Sequence, residues 1–221
     1  MNTPDESKSQ ARPLTTTSYA VLSVLALRDH STYDLTKQMR YSLHYLWPRA
    51  ESNVYAEPSR LVEAGLATSR QEFVGGRRRT VYSITRAGRR ALAAWLAAPS
   101  ARPRYESEAL LKILFAENGT RDDLLASVRA LREDAEEALA HWQAVADRYE
   151  EGAGEYPDRF ALSSLVARLL GEQEAATIRW AQLAETAVSA WDGPSVDDPV
   201  WGVGTVRAIG TSSDVGAARP G

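Results

Sequence analysis

From Thr120 to about Glu150, apolar and aromatic residues return in alternating steps of four and three: Leu124, Val128, Leu131, Ala135, Ala138, Trp142, Val145 and Tyr149. After the turn GAGEYPD the stepping resumes through Leu162, Val166, Leu169, Gln173, Ala176, Trp180, Leu183 and Ala187 to Trp191. A mean repeat of 3.5 residues is the pattern of a coiled-coil seam. At a rise of 1.5 Å per residue, each stretch makes a helix about 45 Å long. Two such helices cannot close a compact core within one small domain, so their seams ask for a partner, most economically a second copy of the chain. Leu124, Val128, Leu131, Leu162, Val166, Leu169, Trp180 and Leu183 are the residues expected at that dimerisation seam. Gln173, a polar residue within the second seam, is expected to fix its register.

The residues ahead of this pair carry shorter signals. Thr15 to Thr17 supply N-caps for a dense apolar helix holding Tyr19, Leu22, Val24, Leu25 and Leu27, which ends near Arg28 to His30. Ser31 or Thr32 caps a second helix, TYDLTKQMRYSLHYL, with Leu35, Met39, Leu43 and Leu46 on one face and Pro48 just beyond. In a third, AESNVYAEPSRLVEAG, Val54, Leu61 and Val62 point inward and Gly65 supplies the stop. Pro58 predicts a kink there, or a first turn that starts late, because an interior proline costs about 3 kcal/mol. Leu66 to Val74 and Thr80 to Ile84 are β-favouring runs joined through Gly75 and Gly76, where positive φ is free of steric cost, so a hairpin is expected. Thr85 then caps RAGRRALAAWLAA, which stops at Pro99.

Three helices, a hairpin and a further helix in about 85 residues are the order of a winged helix-turn-helix. The expected fold is therefore mainly α, a winged helix-turn-helix followed by a helical, coiled-coil-like dimerisation domain. Residues 1–13, polar with Pro4 and Pro13, are expected as a flexible leader, 14–99 as the winged domain and 100–191 as the helical domain. The latter opens with a short helix from Glu106 to Ala116, broken at Gly119. Residues 192–221, rich in Gly, Ser, Pro and Asp, are expected as a disordered tail.

A net charge of −3 conceals a division of sign. Leu14 to Pro99 carries 12 Lys/Arg against 6 Asp/Glu, whereas Ser100 to Trp191 carries 10 against 17. Binding to a polyanion, if the chain has it, belongs to the first half. With no cysteine, disulfides, thiolate metal sites and cysteine nucleophiles are excluded. No apolar run is long enough to span a bilayer and the first residues lack the order of a signal peptide, so a cytoplasmic protein with no membrane partner is expected. The three histidines are scattered, and Glu137 with His141 lacks the repeated Glu-x-x-His of a di-iron bundle. Phosphate-binding and nucleophile motifs are absent, so no enzyme, metal or cofactor is expected.

Arg77, Arg78 and Arg79 follow the two glycines directly. Three arginines on a turn are commonly no more than a solvated charge cluster. Behind a helix-turn-helix in a basic module, they suit a wing that meets phosphates and a narrow minor groove. The segments YAVLSVLALRDHSTYDLTKQM, SNVYAEPSRLVEAGLA and FVGGRRRTVYSITRAGRRALAAWL together resemble the PadR family of winged-helix transcriptional regulators. The resemblance covers roughly residues 16–97 and rests on Gly75, Gly76, Arg77, Tyr82, Ile84, Thr85 and Gly88 in the wing, on Tyr33, Asp34 and Leu35, and on Val54 and Tyr55. The two long helices resemble the C-terminal region of the longer, Vir-type members. Thr32, where the family often has Gly, and Pro58, where an aliphatic residue is usual, depart from the pattern.

The resemblance implies a homodimer that binds double-stranded DNA at a palindromic operator, as a repressor that responds to an effector. It sets Ser52, Asn53, Tyr55, Ala56, Ser59 and Arg60 against DNA from the third helix, Tyr33 and Lys37 from the second, and Arg77 and Arg78 from the wing. Asn53 and Arg60 suit base edges; Ser52, Tyr33 and Lys37 suit phosphate. Tyr55 could equally be a half-buried core aromatic. Some PadR-like proteins take flat aromatic effectors, and Trp142, Trp180 and Gln173 are the candidates for such a site, although bulky aromatics at helical spacing are more often seam fillers. Two other functions fit the same chain: a winged-helix interaction scaffold without specific DNA binding, and a small-molecule-binding helical protein.

Overall fold

The computed structural model describes residues 13–43, 45–47, 54–103, 105–154, 156–194 and 199–208. Apart from Pro13, the expected leader lies outside them. The chain divides between Pro103 and Arg104 into two compact units.

In the first unit, α1 (Thr16–Leu27) begins with a reciprocal cap: the Thr15 hydroxyl accepts from the Ser18 amide at 3.2 Å, and the Ser18 hydroxyl accepts from the Thr15 amide at 2.9 Å. The helix is apolar on most sides and is correspondingly enclosed. Ser31 caps α2 (Thr32–Leu43), donating to the Asp34 carboxylate at 2.7 Å and accepting from the Asp34 amide at 3.2 Å. The helix stops at Leu43 and Leu46 lies in a turn, 48% exposed, so Leu46 is not on the buried face that the spacing suggested.

Helix α3 (Glu57–Glu63) starts late instead of kinking. Pro58 falls in its first turn, where a missing N–H removes no intrahelical bond. The helix closes in a Schellman motif, with Gly65 at φ 70° donating to the Val62 carbonyl at 2.9 Å and Leu66 donating to the Leu61 carbonyl at 2.8 Å.

Strands β2 (Ala67–Val74) and β3 (Arg77–Ile84) pair from Ala67 opposite Ile84 to Val74 opposite Arg77. They are joined by Gly75 and Gly76 at φ 57° and 75°, the signs of a type I′ turn. A two-residue strand, β1 (His30–Ser31), adds to the far side of β3, giving the order β1-β3-β2; it was not anticipated, because two residues carry no periodicity. Thr85 caps α4 (Arg86–Ala97). Gly88 is required there, because a Cβ would stand 2.2 Å from the Leu66 carbonyl oxygen. Val21, Leu22, Leu25, Leu35, Met39, Val54, Leu61, Ala67 and Tyr82 form the core, and Trp95 of α4 stacks on Tyr19 at 4.9 Å.

The second unit holds α5 (Glu108–Leu114), the thirty-residue α6 (Arg121–Glu150) and the thirty-residue α7 (Phe160–Ser189). Helices α6 and α7 pack on one another: Leu124, Leu125 and Val128 meet Ala181 and Val188, Arg132 pairs with Glu185 at 2.8 Å, and Tyr149 stacks on Phe160 at 4.0 Å. Leu124 and Val128, expected at a dimerisation seam, are therefore buried within the chain itself, because the returning helix covers them first. Leu131 is half-buried on α6. The expected disordered tail is also not uniform, since Pro199–Arg207 forms a further helix, α8.

Candidate nucleic-acid interface

The surface expected to meet DNA lies in the first unit. On α3 and the turn before it, Tyr55, Ala56 and Ser59 are exposed, Tyr55 at 67%, which removes the core reading of that ring. Ser52 and Asn53 lie outside the described residues. Arg60 is half-buried, with Nη1 donating to the Glu57 carboxylate at 2.7 Å. Tyr33 and Lys37 stand exposed on α2. The Ser59 hydroxyl lies 3.4 Å from the Tyr82 hydroxyl, so α3 touches the sheet that carries the wing.

Strand parity sorts the three arginines. The turn consists of the two glycines alone, and β3 already runs from Arg77, so the arginines belong to the strand and not to the hairpin tip. Arg77 and Arg79 share one face with Glu72; Arg78 shares the other with Phe73, Gln71 and Thr80. Arg79 donates to Glu72 at 3.0 Å and lies 3.9 Å from Asp34 at the start of α2. Arg70 binds Glu72 at 2.9 Å and Asp29 at 2.6 Å. The result is an alternating row, Asp29–Arg70–Glu72–Arg79–Asp34, joining the wing to the loop after α1 and to α2.

This row shifts the acids that compose it. The hydrogen bond from Arg70 holds Asp29 below the usual carboxylate range, and Arg79 followed by Arg70 does so for Glu72. The Ser31 hydroxyl is the main cause of the same shift in Asp34. Arg78 keeps a neutral partner, donating through Nε to the Gln71 side chain at 3.0 Å, and Gln71 in turn donates to Thr80 at 2.9 Å. Arg77 has no side-chain hydrogen bond or ion pair among the described residues. Of the three, Arg79 is spent on structure, while Arg77 and Arg78 keep charge to offer outward.

Two residues of this surface were not anticipated from sequence. Phe73, 75% exposed, stands opposite Arg78 on the wing, on the strand face that buries Tyr82 further along, so parity alone does not give its exposure. Glu57, buried at 2%, lies three residues before Arg60, a spacing that brings side chains together on a helix.

In the second unit, Trp142 is half-buried on α6, and Trp180 and Gln173 are exposed on α7. The antiparallel pairing of Arg132 with Glu185, and of Leu139 with the Gly171 level, sets Trp142 and Trp180 at different heights, so the three effector candidates are not gathered. An open groove between α5 and α6, lined by Leu111, Phe115 and Leu124 among others, includes none of them. Among the described residues, no group of three His, Asp or Glu side chains could hold a metal ion, and no helix is long and apolar enough to cross a membrane.

Residues 21–94 match the model of the transcriptional regulator PadR-like family, and residues 106–189 match that of the virulence activator alpha C-terminal domain. A curated relative, the negative transcriptional regulator PadR of Bacillus subtilis, is 29% identical over 99 residues, which are 44% of this chain and 54% of the relative. The match thus spans about half the length of that relative. The structure of the Vibrio cholerae virulence activator AphA is 29% identical, with a TM-score of 0.61 over 79% of this chain and 98% of its own. The crystal structure of Bacillus subtilis PadR in complex with operator DNA has a TM-score of 0.66 at 23% identity, over 79% of this chain and 99% of its own, and bears on the fold.

Proposed function

Because the chain belongs to the PadR-like family of transcriptional regulators, with a virulence-activator type of C-terminal domain, we propose that it is a homodimeric, sequence-specific repressor that binds double-stranded DNA. The observation that carries the proposal is the pairing of an exposed α3 face with a wing whose Arg77 and Arg78 meet no carboxylate among the described residues. A helix of this kind enters the major groove. Tyr55, Ala56, Ser59 and Arg60 meet the bases or their flanks, and Ser52 and Asn53, just ahead, extend that contact. Tyr33 and Lys37 reach phosphate, and Arg77 and Arg78 reach the adjoining backbone or minor groove, where guanidinium suits the narrow, negative cleft.

Dimerisation places two such modules on an operator whose half-sites lie one or two DNA turns apart, about 34 to 70 Å. The surface that supports it is α7, where Leu162, Leu165, Val166 and Leu169 are exposed. Repression is supported by the description of the Bacillus relative; the Vibrio relative is described as an activator. Titration of the protein against the DNA upstream of its own gene, at two salt concentrations with random duplex as competitor, tests the binding. Tight binding that survives competitor upholds it, and equal, salt-sensitive binding to both duplexes would remove the specificity. A promoter–reporter fusion reads the sign of regulation.

A further inference from the structure

Glu57 opens α3 with its carboxylate buried. A buried carboxylate is costly unless donors and an opposite charge meet its oxygens, and here both oxygens are met. Oε1 accepts from the hydroxyl of Ser18, itself fully buried. Oε2 accepts from Nη1 of Arg60 at 2.7 Å. Ser18 is in turn fixed by its reciprocal cap with Thr15, so the acid is anchored on α1 as well as on its own helix. Arg60 differs from its partner in that 32% of its side chain is exposed, against 3% for Glu57. A guanidinium carries five N–H donors, and only one of them is engaged among the described residues. The pair thus has a fixed inner end and an open outer one.

We propose that Glu57 is a positioning residue for Arg60, holding the guanidinium in one orientation so that its remaining donors meet a guanine edge in the major groove. This inference rests on the DNA-binding reading above. A free arginine gives up rotamer freedom when it binds, and a clamp formed during folding removes that loss from the binding step. Fork geometry against O6 and N7 of guanine needs such an orientation. Long-range electrostatics alone argues in the opposite direction: a carboxylate close to a polyanion repels it, and removing its charge should tighten binding to any duplex. The two effects differ in sign, which makes the role testable.

The wild-type protein first enriches preferred sequences from a random duplex library. The enriched duplex and an unselected one are then titrated by fluorescence anisotropy with wild type, Glu57→Gln, Arg60→Ala and the double variant. Glu57→Gln is expected to weaken binding to the enriched duplex about tenfold, the size of a lost bidentate base contact. Binding to the unselected duplex should stay level or tighten, and the loss should vanish in the Arg60→Ala background. Equal tightening on both duplexes, or the same loss with and without Arg60, overturns the positioning role. If the wild type enriches no sequence, the DNA-binding reading itself fails and the inference falls with it. Should Glu57→Gln not fold, which circular dichroism reads, Ser18→Ala takes its place: it keeps both charges and releases the anchor, together with the Ser18 half of the α1 cap. A smaller loss confined to the enriched duplex is then expected, and no loss overturns the proposal.

Discussion

The first unit encloses Leu22, Leu35 and Leu61, all at 0% exposure, whereas the second leaves Leu162, Leu165 and Leu169 at 62, 71 and 61% along one side of α7. Chain architecture explains the contrast. Short helices joined by tight turns and a three-stranded sheet return on themselves often enough to enclose one shared core. Two thirty-residue helices cover each other along one line and leave the rest of each cylinder open. The charges divide along the same boundary, 12 basic against 6 acidic residues in Leu14 to Pro99 and 10 against 17 in Ser100 to Trp191. The first unit closes a core and carries the basic excess; the second is acidic and leaves an apolar stripe of α7 exposed.

The strongest way to break this contrast is at the α7 stripe. Leu162→Asp with Leu169→Asp should convert a dimer to a monomer by light scattering and lower operator affinity by roughly a hundredfold or more, because the two half-sites would no longer be held jointly. A dimer that survives would move the interface off α7. Leu22→Ala, by contrast, should cost about 2 to 5 kcal/mol in thermal or urea unfolding and leave the oligomeric mass unchanged; a change in mass would erase the division of roles.

Within the basic unit, Arg77→Ala with Arg78→Ala should flatten the slope of log affinity against log salt by about 2. Arg79→Ala, already neutralised by Glu72, should leave that slope nearly unaltered, and an equal effect would show that parity does not sort the three. The smallest effect expected is on pH. Asp29, Asp34 and Glu72 are held low by their donors, so the stability they contribute is full above ordinary carboxylate values and fades as pH falls through their folded-state values. Glu174 in the second unit is pushed up by burial and by Asp134, so its contribution has the opposite sign: it is present at low pH and lost as pH rises through its folded-state value. An NMR titration of the side-chain carboxyl carbons should place the first three midpoints below the usual range and Glu174 above it.

Much of the fold was legible because its signals are local. Thr15, Thr85 and Thr120 bond to amides three residues on, Gly65 turns α3 off, and Gly75 with Gly76 demands the one tight turn that fits two positive φ values. Each of these needs only near neighbours in the chain. The candidate site was legible in part. The order of elements located α3 and the wing, and the exposed positions Tyr33, Lys37, Tyr55, Ala56 and Ser59 follow from helical spacing once the buried face is known. That Arg79 is tied down while Arg77 is not depends on Glu72 across the strand pair and on Asp34 in another helix, which no run of neighbouring residues reveals.

The amino-acid sequence by itself determined the order of the main helices and the hairpin and which half of the chain is basic, while the choice of a late start over a kink in α3, the short β1 and helix α8 fell outside it. Tertiary structure alone decided which apolar faces are used up inside the chain. Leu124 and Leu162 occupy equivalent places in the two seams, yet the first is 4% exposed and the second 62%. Burial is a property of what arrives from elsewhere in the chain, so Ala181 and Val188, more than fifty positions away, cover Leu124, while nothing among the described residues encloses Leu162. For the same reason the carboxylate of Glu57 meets Ser18, 39 residues distant, a contact that composition and periodicity do not encode.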